Sequence, residues 1–324
     1  MTALEPKAIP AAAPEIVDGA AGPDDLRTGD ADHRDPQPGR ARPAGQNRNR
    51  RLAWQIAVSV LLLLFSVLFI YPFIWLLSAS FKPRGEVFDN RLIPRTFTFE
   101  NYLTVWDQAP MAAWLVNTVI VTVLATVTVT VSSAMVAWGF AYFRFKGRNA
   151  LFGLVLATMM LPGAVTMIPT FLIWNALGQV GTLTPLWAGN LFGSAFYIFL
   201  LRQFFLGLPR DLFDAAKVDG ANNWTIFRRV AMPLCKPALV VTFLFEFQAS
   251  WTDLMRPLIY LRDSEDFTVP RGLKALLDQY GFGGEWHWEI VVTASVITTI
   301  PVIILFFIGQ KQFVAGIATT GSKG

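Results

Sequence analysis

Six stretches of this 324-residue chain are each apolar for roughly 20 residues, and that repetition leaves little choice of environment. A helix of that length crosses a hydrocarbon core about 30 Å thick. Inside hydrocarbon every backbone N–H and C=O must find a partner within the chain, so long continuous apolar runs select helices. The expected spans are residues 52–78, 114–138, 151–174, 186–205, 238–258 and 290–308. Composition agrees: 53% of the residues are hydrophobic and 15% charged, against about 25% charged in an average soluble domain. The expected fold class is an all-α membrane protein of six transmembrane helices.

Residues 1–50 are a different material, rich in Ala, Pro, Gly, Asp and Arg and nearly free of aromatics. Such a segment cannot bury enough apolar area to offset its ordering entropy, so it reads as a disordered tail ahead of a membrane domain at 51–324. The apolar run after Arg48, Arg50 and Arg51 is too long and starts too late for a signal peptide.

Lys and Arg collect on the cytoplasmic side of membrane proteins. They lie in the N-terminal flank, in the short loop Arg144, Lys146 and Arg148, and in the insert carrying Arg202, Arg210, Lys217, Arg228, Arg229 and Lys236. With six spans these three regions share one side, which makes both termini cytoplasmic. The loop at 179–185 has no Lys or Arg, as an external loop should. The external segment 81–113 is a mild exception, with Lys82, Arg84, Arg91 and Arg95 set against Glu86, Asp89, Glu100 and Asp107. The net charge of +4 points to no nucleic acid, because the basic residues flank the spans instead of covering one face. The single Cys235 excludes an intrachain disulfide and reads as a passive thiol.

The polar insert at 209–237, between the fourth and fifth spans, reads as two short helices. Asp211 is placed to cap the first, with Asp214 three residues on. Ala215 and Ala216 are small enough for another surface to approach. Gly220 can take positive φ at the helix end, and Asn222 or Asn223 can cap the second helix. In that helix Phe227 and Val230 share a face, Arg228 and Arg229 turn away, and Pro233 and Pro237 are expected to stop it.

The segment Asp214-Ala215-Ala216-Lys217-Val218-Asp219-Gly220-Ala221, followed by Phe227, Met232-Pro233 and Pro237, resembles the EAA loop of ABC importer permeases. Asp214 stands where the family usually has Glu, and Met232 fills the hydrophobic slot before Pro233. The resemblance extends over nearly all of 52–324. Leu201-Arg202-Gln203-Phe204-Phe205 is similar to the family's lead-in to the loop. The run from Ala141 to Arg148 resembles the short basic loop of its sugar branch, and that from Phe97 to Tyr102 an external segment. Trp251-Thr252-Asp253 with Pro257-Leu258-Ile259 resembles a W-N-[DE]…P-L-[IV] stretch, with Thr252 in place of Asn. The ending from Phe313 to Gly324 is like that of maltose-G type permeases.

The resemblance implies that Asp214, Ala215, Ala216, Asp219, Gly220, Ala221, Phe227 and Pro233 form a coupling helix and its support, docking in a groove of an ATP-hydrolysing subunit. It implies a second homologous permease subunit, two ATP-binding subunits, an external solute-binding protein of lipoprotein type, and a bacterial cytoplasmic membrane. No cofactor is expected on this chain; ATP and Mg would be used by the partner subunits.

In the fifth span Glu246, Gln248, Trp251 and Asp253 are the candidate lining of a solute route. A charge at a helix centre costs roughly 2.5–3.5 kcal/mol on insertion scales, so Glu246 should face protein or water. A Trp beside an acid suits a sugar, which offers apolar ring faces and hydroxyls. Helical spacing puts Asp253 on the face of Glu246 and turns Gln248 elsewhere. The other reading keeps Glu246 and Trp251 for subunit packing. The external run from Gly283 to Trp288 reads as an interfacial aromatic belt, and His33 and His287 have no partners at metal-ligand spacing. Pro162, Pro169 and Pro301 mark bends, either for packing or for a pathway.

The chain has no Walker-type phosphate loop, no G-x-S-x-G and no His–carboxylate cluster, so it is not expected to be an enzyme. The function that follows is a permease subunit of an ATP-driven importer for a sugar or oligosaccharide. Glycerol phosphate or another polyol derivative is the alternative cargo. A polytopic membrane enzyme and a passive channel are the other classes.

Overall fold

The computed structural model describes residues 44–89, 91–282 and 286–321; residues 1–43 of the expected disordered tail and Gly283–Glu285 lie outside them, whereas residues 44–50, expected to be disordered, form the start of the first helix. The chain forms two compact units, residues 1–61 and 62–324, and the packed core lies in the second. Among the described residues every regular element is helical. In chain order they are α1 (Ala44–Ser80), α2 (Glu100–Gln108), α3 (Met111–Tyr142), α4 (Arg148–Thr158), α5 (Gly163–Ala176), α6 (Thr184–Trp187), α7 (Ala195–Leu206), α8 (Asp211–Val218), α9 (Asn223–Ile226), α10 (Met232–Leu234), α11 (Lys236–Trp251), α12 (Met255–Tyr260), α13 (Val269–Leu276) and α14 (Trp288–Gly321).

Among the described residues four stretches are long and apolar enough to cross a membrane: Arg50–Ser80, Met111–Tyr142, Thr184–Leu206 and Trp288–Gly309. Two bent pairs bring the number to six if each is one span. They are Arg148–Thr158 with Gly163–Ala176, bent by 96°, and Asn223–Leu234 with Lys236–Trp251, bent by 76°. The expected third span is therefore two helices. Pro162 has no N–H to donate and sits extended at φ −60°, ψ 133° ahead of α5, ending the first helix. Pro169 and Pro301 lie inside α5 and α14. The fifth span also differs from expectation. Its helix stops at Trp251, and α12 starts separately, because the Asp253 carboxylate accepts the backbone N–H of Arg256 at 3.3 Å and redirects the chain. Helix α11 is then about 24 Å long at 1.5 Å per residue.

Helix α3 is the spine. Its buried stripe of Thr118, Thr122, Ala125, Val129, Ser133, Ala137 and Ala141 recurs at three- to four-residue spacing, and α7 and α11 pack against it. Lipid tails are as apolar as leucine, so association in a membrane favours small side chains that let backbones approach. Two aromatic-rich clusters sit at opposite ends of this helix. Trp114 belongs to one, with Met111, Phe267 and Tyr260. Trp138 belongs to the other, with Phe205, Phe213 and Phe227. The two tryptophans are about 36 Å apart along the axis.

The basic residues of the 81–113 segment have a structural explanation in part. Lys82 is fully buried, paired with the Asp89 carboxylate and donating to the carbonyls of Asp89 at 3.2 Å and Arg91 at 2.7 Å. The Lys82 ammonium holds the Asp89 carboxyl below the usual carboxylate range. Asn101 donates to the carbonyls of Ser80 at 2.9 Å and Lys82 at 2.8 Å. Arg84 donates to Nε2 of His287 at 3.1 Å, while Nδ1 of that ring lies 2.7 Å from Glu289. Lys82 thus organises this segment through an internal ion pair, which offsets its weight in a count of topological charges.

Candidate functional site

The insert folds as a helical hairpin. Asp211 is the first residue of α8 and makes no side-chain cap; Arg210, helical at φ −66° and ψ −31°, precedes it. The carbonyl of Arg210 accepts the N–H groups of Phe213 at 2.9 Å and Asp214 at 3.1 Å. Asp211 and Asp214 therefore act in the first turn by charge, where carboxylates favour the helix dipole. Gly220 closes the helix at φ +81°. Its N–H reaches the carbonyl of Lys217 at 2.9 Å, and that of Ala221 reaches Ala216 at 3.0 Å, the two bonds of a left-handed helix stop. Asn222 caps α9 by accepting the Thr225 N–H at 2.8 Å.

The prolines act differently from expectation. Pro233 lies inside α10. Its ring needs room at the carbonyl four residues back, and the wider π turn over Phe227–Ala231 precedes it. The chain turns at Cys235, which is buried, and Pro237 falls in the first turn of α11.

The hairpin is anchored from beneath by aromatic rings. The Trp138 ring lies 4.3 Å from Tyr142, 5.1 Å from Phe213, 5.4 Å from Phe205 and 6.0 Å from Phe227, measured between centroids. Phe213 and Phe227 are 4% and 6% exposed. Phe227 thus belongs to the inward base of the loop. Phe213 and Trp138, which sequence reasoning missed, share that base. Their signal was an aromatic residue in the first turn of the insert's first helix and a tryptophan at the end of a span.

The opposite face is open. Leu212, Ala215 and Val218 recur every three residues on α8 and are exposed, Val218 by 88%; Trp224 adds a ring 57% exposed. Asp214, Asp219, Gly220 and Pro233 are exposed too, while Ala216 and Ala221 are half-buried against the aromatic base. Asp214 and Lys217 face each other at 3.6 Å in solvent. The adjacent Tyr142 phenol, then Asp214, raise the Lys217 pKa above the ordinary lysine value. Leu212, Val218 and Trp224 were not singled out from the sequence, although their spacing opposite Phe213 marks a second apolar ridge.

The four candidates of the expected fifth span do not converge: Glu246, Gln248 and Trp251 lie on α11, and Asp253 lies just past its end. Glu246 is buried, accepting from the Asn190 amide at 2.6 Å and the Ser250 hydroxyl at 3.0 Å. Asn190 lies in a short 3-10 stretch, Ala188–Phe192, between α6 and α7. The Ser132 hydroxyl donates to its carbonyl at 3.1 Å, and the Ser133 hydroxyl accepts the Ser194 N–H at 3.1 Å. Gly193 makes the turn at φ +80°, close against Ser133. Non-helical backbone at membrane depth persists only where protein or water satisfies it. Glu246 thus helps hold an interrupted helix together. Trp251 is buried, stacks on Phe247 at 5.5 Å and donates to the Thr298 carbonyl at 3.3 Å. Asp253 pairs with Arg256, which also donates to the Leu186 carbonyl at 3.0 Å. Gln248 is exposed. No group of three or more His, Cys, Asp or Glu side chains that could hold a metal occurs among the described residues.

Residues 130–319, which contain both the hairpin and α11, match the family described as binding-protein-dependent transport system inner membrane component. The chain belongs to this family. It is 34% identical to the arabinooligosaccharides transport system permease protein AraQ of Bacillus subtilis, over 84% of this chain and 96% of that one. It is 30% identical to the diacetylchitobiose uptake system permease protein NgcG of Streptomyces coelicolor, over 86% and 91%. Among solved structures, a chain of a bacterial ABC transporter that imports the acidic polysaccharide alginate aligns with TM-score 0.70 and 27% identity, over 82% of this chain and 97% of that one. The chain is a multi-pass membrane permease component of all-α fold.

Proposed function

We propose that this chain is the permease subunit of an ATP-driven importer for a sugar or oligosaccharide, moved by partner ATPase subunits through the hairpin at 209–237. One observation carries the coupling role: an exposed apolar ridge, Leu212, Ala215 and Val218, stands beside Asp214 on a helix whose other face is anchored in aromatic rings. Exposed apolar residues in a row on a polar loop mark a protein contact. The rigid base lets a push on α8 reach α3 and α7 through Trp138 and Phe205. The relatives' names supply the cargo class, since AraQ and NgcG are named for an oligosaccharide and a chitobiose derivative.

In this reading a second permease completes the pathway, and an external binding protein delivers solute. Two partner subunits bind and hydrolyse ATP with Mg, and the loop lies on the cytoplasmic side with both termini. Each change of access needs a ligand with different affinity for the two states. Of the four candidates, Gln248 is the side chain that we place on the route, because the other three are held by internal bonds. The test is uptake of a panel of labelled sugars by the assembled transporter carrying Ala215→Trp. Uptake should disappear while the chain still inserts; uptake at the parental rate would overturn the coupling role.

A further inference from the structure

Behind the hairpin lies a cavity of about 410 Å³, within the range of about 300–1,000 Å³ seen for small-ligand sites. Three cationic side chains line it: Arg144 from the turn after α3, Arg210 from the turn after α7, and Lys217 from α8. Asp214 is the one carboxylate among the lining residues. Trp138 also lines it and is 5% exposed. A ligand that brings several anionic acceptor oxygens would answer the surplus of positive charge.

The position narrows the ligand further. Helix α3 and the interrupted span Thr184–Leu206, whose last part is α7, end at Tyr142 and Leu206, and both of these residues line the cavity. Phe143 and Leu206 line it and are themselves exposed, so an apolar rim adjoins the cationic interior. An amphiphile fits that order, with its phosphate among the cations and its acyl chains along the rim. Basic pockets between membrane helices on the cytoplasmic side suit anionic headgroups.

We propose that this cavity binds the headgroup phosphate of an anionic membrane lipid of the phosphatidylglycerol class, joining the hairpin to the ends of α3 and α7. The inference rests on the proposed cytoplasmic placement of the hairpin. A lipid there would tie Arg210 and Lys217 of the moving loop to Arg144 of the span end, so that lipid composition regulates coupling.

The test is native mass spectrometry of the assembled transporter in mild detergent, with phosphatidylglycerol or phosphatidylcholine added in equal amounts. Phosphatidylglycerol should be retained and phosphatidylcholine lost. Arg144→Gln with Arg210→Gln should lower retention by at least about tenfold, and Arg144→Lys with Arg210→Lys should restore most of it. Equal retention of the two lipids, or undiminished retention by the glutamine variant, would overturn the proposal. So would displacement by inorganic phosphate, which would show a free-anion site, or retention by the isolated chain that vanishes on assembly, which would assign the cavity to an acidic partner segment. A melting curve for the glutamine variant separates lipid loss from unfolding. Uptake by the Ala215→Trp transporter reads the coupling role independently, so either idea can fail alone.

Discussion

The hairpin at 209–237 and the helix α11 that follows it carry polar residues of similar interest, yet they use them in opposite ways. In the hairpin the interior is aromatic and self-sufficient, leaving Asp214, Ala215, Val218 and Asp219 exposed. In α11 and the turn after it the polar groups are consumed: Glu246 holds Asn190 and Ser250, Asp253 holds Arg256, and the Trp251 indole holds Thr298. A partner can only engage side chains that the fold has not already engaged. The difference fits the proposed coupling role of the first region, and in the second it commits most of the polar groups to bonds within the chain.

Removing what anchors the hairpin should produce the largest effect. Phe213→Ala empties a buried ring site facing Trp138 and should cost about 3–5 kcal/mol, read as a lowered melting temperature together with lost uptake. A parental melting curve would mean that the loop is not held by its aromatic base. Next in size is Glu246→Ala, which strips the Asn190 amide and Ser250 hydroxyl of their acceptor and should cost about 1–3 kcal/mol. Glu246→Gln keeps an acceptor oxygen and should melt closer to the parent. Were Glu246 a solute contact instead, the alanine variant would melt normally and change the KM for uptake, which would erase the contrast between the two regions. Smallest in stability is Asp214→Ala on the exposed face: its melting should be unchanged, because its partner Lys217 is equally in solvent. Its uptake should nevertheless fall. A loss of stability there would show that the open face is also structural.

The sequence made the helical membrane class legible because apolar length and backbone satisfaction leave few alternatives. It also carried the αL stop at Gly220 and the cap at Asn222, since both depend on residues within three or four positions. What it concealed was non-local. Pro162 announced a bend but not its size of 96°, and the halt at Trp251 was absorbed into an apolar run, because hydropathy does not register a turn. The passage of the chain through Pro233 depends on a π turn that no spacing rule predicts. The roles of Glu246 and Lys82 needed partners 56 and 7 residues away, so an expensive charge was visible but its compensation was not. The exposed ridge of Leu212 and Val218 became apparent only after Phe213 was seen to fill the inward side.

The most direct measurement of the account is chemical cross-linking from that ridge. The native Cys235 is buried and should give little background, whereas Val218→Cys introduces a thiol at a position 88% exposed. In the assembled transporter this variant should form an adduct with an ATPase subunit, at a yield that changes when ATP is added, while the parent chain forms none. Efficient labelling of the Val218→Cys thiol by a small reagent, with no ATPase adduct in either nucleotide state, would contradict the claim that this face receives the push.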